Sequence, residues 1–232
     1  MDLDRIFKPA SYIGSLRVVC VGAHPDDPET GCGGTLSRLA AAGHEVTVVY
    51  LTRGEAGVKY IPKETITWNP CEEKAAVAGV RTAEALRACS VLGVQVVFTD
   101  QPDGHTAAGG QECDRFTELI GSLKPDLVLT HWPIDTHCDH RIASLLAYQA
   151  WQFFGRKFVL AYYEVMTGLQ TQEFQPNWYV DITGTWPVKR NACFAHRSQK
   201  PDRFYRYHRK LERQRGLEAG FVRAEAFNVL EK

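Results

Sequence analysis

The sequence predicts an α/β fold in one domain, with a mostly parallel sheet and helices on both faces. Continuous apolar runs, not alternating ones, recur between segments of helical spacing, as in buried parallel strands joined by crossover helices. At 232 residues the chain has the length of one such domain, and no internal repeat or low-complexity linker divides it. Two dense clusters of histidines and carboxylates each follow an apolar run directly, at the strand ends where such sheets bind ligands.

Residues 1–15 read as an irregular lead-in. Arg17–Ala23 is the first strand, apolar without a break and so buried on both faces. Gly33, Gly34 and Thr35 open a helix that runs to about Ala42, with Leu36, Leu39 and Ala40 inward and Gly43 as its stop. Glu45–Leu51 is a second strand, β-branched at Val46, Val48 and Val49, and completes a right-handed βαβ unit. Thr52–Pro70 is a long irregular connection of the kind that forms lids, and carries Tyr60 and Trp68. Ala76, Val80, Ala83, Leu86, Ala88 and Leu92 mark a helix over Glu72–Leu92, although Gly79 weakens it. Val94–Thr99 is the third strand and runs into the turn-rich Asp100–Gly104. Cys113–Leu123 is a helix, Leu127–Thr130 the fourth strand, and a further helix spans Asp139 to Phe154. From about residue 158 a C-terminal extension packs on the same domain, which therefore covers 1–232. It holds strands at Phe158–Met166 and Trp178–Ile182 and helices at Pro187–Gln199 and Arg203–Arg215. The charge of the last helix reads as a solvated face.

Acidic and basic residues balance at 27 each, so nothing in the bulk charge points to nucleic acid or anionic lipid. No apolar run approaches the length of a membrane span, and the first residues lack the pattern of a signal peptide. The seven cysteines are scattered, without a CxxC, and read as thiols of a reducing, cytoplasmic environment.

The first cluster is His24, Pro25, Asp26, Asp27, Pro28 and Glu29; the second is His131 to His140, with Asp135, His137, Cys138 and Asp139 between. Histidine and carboxylate side chains bind zinc or a related divalent ion, and a hydrolytic site keeps one position open for water. His24 and Asp27, three apart in a turn, can clasp one ion. The second cluster follows another parallel strand and can supply a third ligand, His140, with His137 and His131 as competitors. Such an ion lowers the pKa of water to near ~7. Asp26, beside a ligand but free of the metal, fits the general base, and His137 fits an oxyanion stabiliser. Asp139 suits a helix cap or an acceptor for a ligating imidazole, and Glu29 a hydrogen bond to nearby backbone. Arg81 and Asp103 suit hydroxyl groups of a substrate, or a surface pair. Trp68, Trp132, Tyr163 and Trp186 could stack on a substrate ring, though aromatics are more often core. His131 suits a structural role as well as a functional one, and His196 is a candidate outside both clusters.

These motifs resemble the LmbE-like, or PIG-L, family of zinc-dependent de-N-acetylases. The resemblance rests on Ala23 to Glu29 with the glycines after it, and on His137, Cys138, Asp139 and His140. Shorter matches are Leu51 to Glu55, Arg81 with Glu84, Pro102 to Gly104, Ala195 to Gln199, Arg215 with Gly216, and Ala224 to Phe227. Together they span about residues 17 to 228. The resemblance implies a Rossmann-like fold and hydrolysis of the acetamide of an N-acetylglucosamine-type sugar conjugate. It implies His24, Asp27 and His140 as zinc ligands, Asp26 as base and then acid, and His137 at the tetrahedral intermediate. Iron(II) suits the same donors. Family relatives assemble as trimers or hexamers, so a homo-oligomer is also implied. One departure is Cys138, where the family usually has proline; a small buried hydrophobe is the expected role.

Two other functions fit parts of the pattern. Gly31, Gly33 and Gly34 loosely match a nucleotide-binding loop, but the acids before them repel a pyrophosphate, and the second strand ends in Thr52 and Arg53 where an NAD site wants an acid. Two histidines and a carboxylate also form the facial triad of iron oxygenases, but paired aspartates have no task there. A metal hydrolase acting on a non-sugar amide fits the residues as well.

Overall fold

The computed structural model describes residues 14–57 and 70–230. Within them lie strands β1 (Arg17–Gly22), β2 (Glu45–Tyr50), β3 (Gln95–Phe98), β4 (Leu127–His131), β5 (Val159–Tyr163), β6 (Trp178–Asp181) and β7 (Ala224–Leu230). The helices are α1 (Asp27–Ala41), α2 (Pro70–Leu92), α3 (Gly110–Leu123), α4 (Cys138–Phe153), α5 (Trp186–Cys193) and α6 (Pro201–Ala219), with a 3-10 turn at Arg197–Gln199. The expected lid residues Tyr60 and Trp68 lie outside the described residues.

All seven strands belong to one sheet, in the order β3, β2, β1, β4, β5, β7, β6. The first five are parallel; β7 runs antiparallel to both β5 and β6. The stretch from about residue 158 thus supplies three strands of the main sheet. Both faces are covered, which is why β1 reads as an unbroken apolar run. Val18 and Cys20 face a core built with Leu36 and Leu39 of α1, Ala88 and Leu92 of α2, and Ala192 of α5. Val19 and Val21 face a second core built with Phe116 and Ile120 of α3 and Leu146 and Ala150 of α4.

The chain moves from β1 outward to β3, then returns to lay β4 on the other side of β1. Beyond the carboxyl ends of β1 and β4 the two following loops diverge, opening the crevice that binds ligands in open parallel sheets.

Four features depart from the sequence reading. First, α1 begins at Asp27, six residues before Gly33, because Pro28 sits in its first turn, where a fixed φ suits a helix start. The helix then breaks at Cys32 (φ −143°, ψ 19°), and a second straight segment follows, which is the helix that Gly33 and Gly34 announce. Gly31, just before the break, lies against Tyr163; a Cβ there would stand 2.4 Å from the ring. Second, residues 224–230 form a strand that periodicity did not reveal. Third, α6 is not a solvated charged helix: Tyr205, His208, Glu212, Arg215 and Gly216 form a buried face. Burial of its charges is possible because each has a partner: Glu212 receives Arg223 Nη1 at 3.0 Å, and Arg215 grips Glu164 at 2.7 Å. The expected continuous helix 187–199 is also interrupted after Cys193.

Candidate metal centre and cavity

The two clusters meet at the switch point. β1 delivers His24, Asp26 and Asp27 through the turn into α1, and β4 delivers His131 and the loop to α4. Asp27 stands at the centre. Its Oδ2 accepts from the His24 backbone N–H at 2.8 Å. The same oxygen faces His24 Nδ1 at 3.2 Å, His140 Nε2 at 3.3 Å and His131 Nε2 at 3.4 Å.

The outer nitrogens of two of these rings are held by carboxylates. His24 Nε2 lies 3.0 Å from Asp139 and 3.1 Å from Asp103. His140 Nδ1 lies 3.3 Å from Asp135, which also accepts from Thr171 Oγ1 and from the His137 backbone. A carboxylate on the outer nitrogen fixes the tautomer and turns the inner lone pair toward a shared point. His131 is different: its Nε2 accepts from the Ala23 backbone N–H at 3.1 Å, so that lone pair is occupied by the end of β1. Burial, reinforced by the His140 charge, pushes its pKa down to about 4 and keeps it neutral. His131 thus fits the structural role, stacked on His140 at 3.9 Å between ring centres.

Donor atoms close enough to share an ion form overlapping groups: His24, His137 and His140; Asp27, His131 and His140; His24, Asp103 and Asp139. The expected trio His24, Asp27 and His140 is divided between the first two. The donor set suits a borderline divalent ion, nitrogen and oxygen in mixture. Charge agrees. Burial opposes a charged His24, yet Asp103, Asp139 and Asp27 hold its pKa well above the ordinary value. His140 is raised to about 9 by Asp27 and Asp135 against the same opposition. Burial alone would raise Asp27, but His140 and His131 hold it well below the carboxylate range. Two imidazolium charges amid carboxylates are matched in sign and number by one divalent cation.

Asp26 leaves the metal cluster. It sits at φ 117°, ψ −22°, a conformation that costs an ordinary residue of order 1–3 kcal/mol and persists only where neighbours impose it. Arg81 is one such neighbour. Its Nη2 donates to Pro25 O at 2.5 Å and lies 3.4 Å from Asp26, and Nη1 donates to Gly54 O at 3.0 Å. The Asp26 side chain keeps 30% of its surface, open to a cavity. Desolvation pushes its pKa up to about 6, with Arg81 opposing.

His137 caps α4: its Nδ1 accepts from the Asp139 N–H at 3.2 Å. Burial, then His24 and His140, lower its pKa. The neutral ring therefore carries its proton on Nε2 and is a donor toward the cavity, which it lines.

Four expectations take a new shape here. Arg81 and Asp103, read as substrate-binding residues or a surface pair, are both buried, line the cavity and hold protein groups there: the backbone at Pro25 and Gly54, and His24. Glu29 bonds side chains, not backbone; it accepts from Tyr50 OH at 2.5 Å and from His196 Nε2 at 3.0 Å. His196, held by Glu29, lines the same cavity. Cys138 is exposed, not buried. Tyr163 belongs to the core, its OH donating to Val21 O, and neither Trp132 nor Trp186 lines the cavity. No disulfide joins the cysteines, all seven of which lie among the described residues. Sequence reading assigned no role to Asp135, although it stands two residues before His137 inside the second cluster, and it passed over His208.

The cavity encloses about 400 Å³, within the ~300–1,000 Å³ usual for small-molecule sites. Among the described residues no helix is long and apolar enough to cross a membrane.

Comparison with known proteins agrees with this geometry. A family model described as PIG-L, GlcNAc-PI de-N-acetylase, matches residues 19–151. Diacetylchitobiose deacetylase of Thermococcus kodakarensis is 29% identical over 200 residues, 80% of this chain and 71% of that protein. The solved N,N'-diacetylchitobiose deacetylase of Pyrococcus horikoshii has a TM-score of 0.77 at 25% identity, covering 92% of this chain and 83% of its own. The solved 4-carboxy-2-hydroxymuconate hydratase of Pseudomonas putida has a TM-score of 0.80 at 26% identity, covering 93% and 96%. The chain spans 45% of the Corynebacterium diphtheriae 1D-myo-inositol 2-acetamido-2-deoxy-alpha-D-glucopyranoside deacetylase, at 33% identity and over 50% of its own length.

Proposed function

Because the chain belongs to the PIG-L family, we propose that it is a metal-dependent hydrolase that removes the acetyl group from an N-acetylglucosamine-containing small molecule. The observation that carries this reading is the meeting of a charge-matched His and Asp donor set with an elevated, unligated Asp26 and a neutral His137 on one cavity.

His24, Asp27 and His140 would hold the ion, with Asp139, Asp103 and Asp135 fixing the two rings. Zinc is the ion that this donor set suits best, and iron(II) competes for the same donors. A divalent ion supplies a Lewis acid that polarises an amide carbonyl and makes water acidic enough to deprotonate near neutral pH. Asp26, with a pKa of about 6, accepts the proton of the attacking water and returns it to the departing amine. His137 donates from Nε2 to the oxygen on which negative charge develops. Acetate and a free amine leave.

The hydratase similarity favours a second reading, addition of water to an unsaturated polycarboxylic acid. Among the described residues that line the cavity, the single Lys or Arg is Arg81; its Nη1 and Nη2 are turned to Gly54 and Pro25, and its Nε is enclosed without a partner. Beyond the metal itself, a polycarboxylate finds only this enclosed guanidinium and the histidines, which weighs toward the neutral sugar.

The test is an acetate-release screen over N-acetylglucosamine conjugates, with metal-stripped and metal-restored protein and with a hydroxymuconate arm. Acetate release that requires zinc or iron(II) supports the proposal. Consumption of the muconate without acetate from any sugar overturns it in favour of the hydratase.

A further inference from the structure

The cavity has two unlike walls. The loops after β1, β3 and β4 supply His24, Asp26, Asp103 and His137. Opposite these in composition, the loop after β5 supplies Val165 and Met166, and the start of α6 supplies Pro201 and Phe204. Phe204 is 42% exposed, although it lines a cavity with apolar neighbours at hand. A phenyl ring half open to a site is a surface for something else to cover.

His208 is a second observation on the same wall. It stands one turn after Phe204 on α6, so both belong to the same side of the helix. It lines the cavity and is only 3% exposed. Burial, then the charge of Lys189, push its pKa down to about 3, so the ring is neutral. Among the described residues it has neither a hydrogen-bond nor an ion-pair partner. Its ring nitrogens are not sealed from the cavity, so an atom of a bound molecule could take the place of water there.

We propose that the substrate carries, beyond its N-acetyl sugar, an uncharged and largely apolar aglycone with one hydrogen-bonding atom, seated on Val165, Met166, Pro201 and Phe204 with His208 as its polar contact. This rests on the deacetylase reading and narrows it. It sets an aryl or alkyl glycoside above a malate, a phosphate or any other anionic conjugate, because the described wall has no lysine or arginine donor to spare.

The experiment compares phenyl N-acetyl-β-D-glucosaminide with N-acetylglucosamine and with its malate conjugate, on the metal-restored full chain. The phenyl glycoside is expected to exceed N-acetylglucosamine by about tenfold in kcat/KM, mainly through KM, and to exceed the malate conjugate by more. Phe204→Ala, at an exposed position that does not threaten folding, is expected to bring the phenyl-to-parent ratio close to one. His208→Leu is expected to halve it or more, with folding checked by circular dichroism. Equal kcat/KM for all three, a preference for the malate conjugate, or an unchanged ratio in Phe204→Ala overturns the aglycone proposal and leaves the deacetylase reading in place. No acetate from any of them overturns both.

Discussion

Asp26 and Asp27 are adjacent, chemically identical and set to opposite tasks by their surroundings. Asp27 faces three imidazole nitrogens and is held ionised; Asp26 is desolvated, strained and raised to about 6. Asp26→Asn is therefore expected to keep its metal and lose about 10²–10⁴-fold in kcat. Metal content by atomic emission beside acetate release checks this, and a variant with full kcat removes Asp26 from the scheme. Asp135 touches no substrate in this scheme and acts through His140. Asp135→Ala is expected to weaken metal binding by about 10–100-fold, measured by competition with a chromophoric chelator. Unaltered affinity would reduce Asp135 to a loop-stabilising acid. The residue types of the site were legible in the chain because the candidate ligands crowd into two short clusters. The partners of Arg81 and Asp103 were not, since groups 27 to 79 positions apart carry no periodic signal of contact.

At the scale of elements, the loop after β2 and the helix α6 show how local conformation supports the site. Gly54 has φ 71°, and a Cβ there would lie 2.3 Å from Arg81 Nη1. Gly54→Ala is expected to cost about 1 kcal/mol or more in stability through the left-handed backbone alone. It should also lower kcat by pushing the guanidinium off Pro25. Denaturant unfolding and steady-state rates separate the two effects. On α6, His208 titrates near 3 when folded and near ~6.5 when unfolded. The unfolded chain binds the extra proton between those values, so the stability contributed by His208 is intact above about pH 6.5 and falls as the pH drops toward 3. Lys189 and Asp27 are the charged groups it senses. Melting curves of wild type and His208→Gln from pH 4 to 8 should diverge as acid is removed; parallel curves would show that the ring titrates alike in the folded and unfolded chains. The strands β1 to β5 were readable because buried parallel strands are apolar runs, and β6 because Trp178 and Val180 alternate inward with Tyr179 and Asp181. β7 was not, because Ala224–Leu230 holds Glu225 and Asn228 among its apolar residues. The buried face of α6 was hidden by charges whose partners lie far along the chain.

The whole molecule is joined at its back by a buried ionic group. Lys189 of α5 is fully enclosed and contacts Glu225 of β7 at 2.7 Å and Glu212 of α6 at 3.2 Å. Lys189→Met leaves two acids without their ammonium and is expected to destabilise the protein by about 3–5 kcal/mol, read from urea unfolding. A loss below 1 kcal/mol would show that the acids find other partners or protonate. Glu225 also accepts the backbone N–H groups of Gly34 and Thr35, at 2.9 and 2.7 Å. These amides open the second segment of α1, where the break at Cys32 leaves donors without helical acceptors, and an anion there also complements the helix dipole.

That carboxylate comes from the far end of the chain, 191 residues from the glycine it steadies. During synthesis, then, the second segment of α1 waits for its cap. A growing polypeptide can assemble β1 to β4 while still tethered to the ribosome, yet the amides of Gly34 and Thr35 stay uncapped until β7 has left the exit tunnel. Because β7 lies between β5 and β6 in the sheet, chains terminated before residue 224 should lack that cap and the seat of β6 together, and should be less stable than the full sequence.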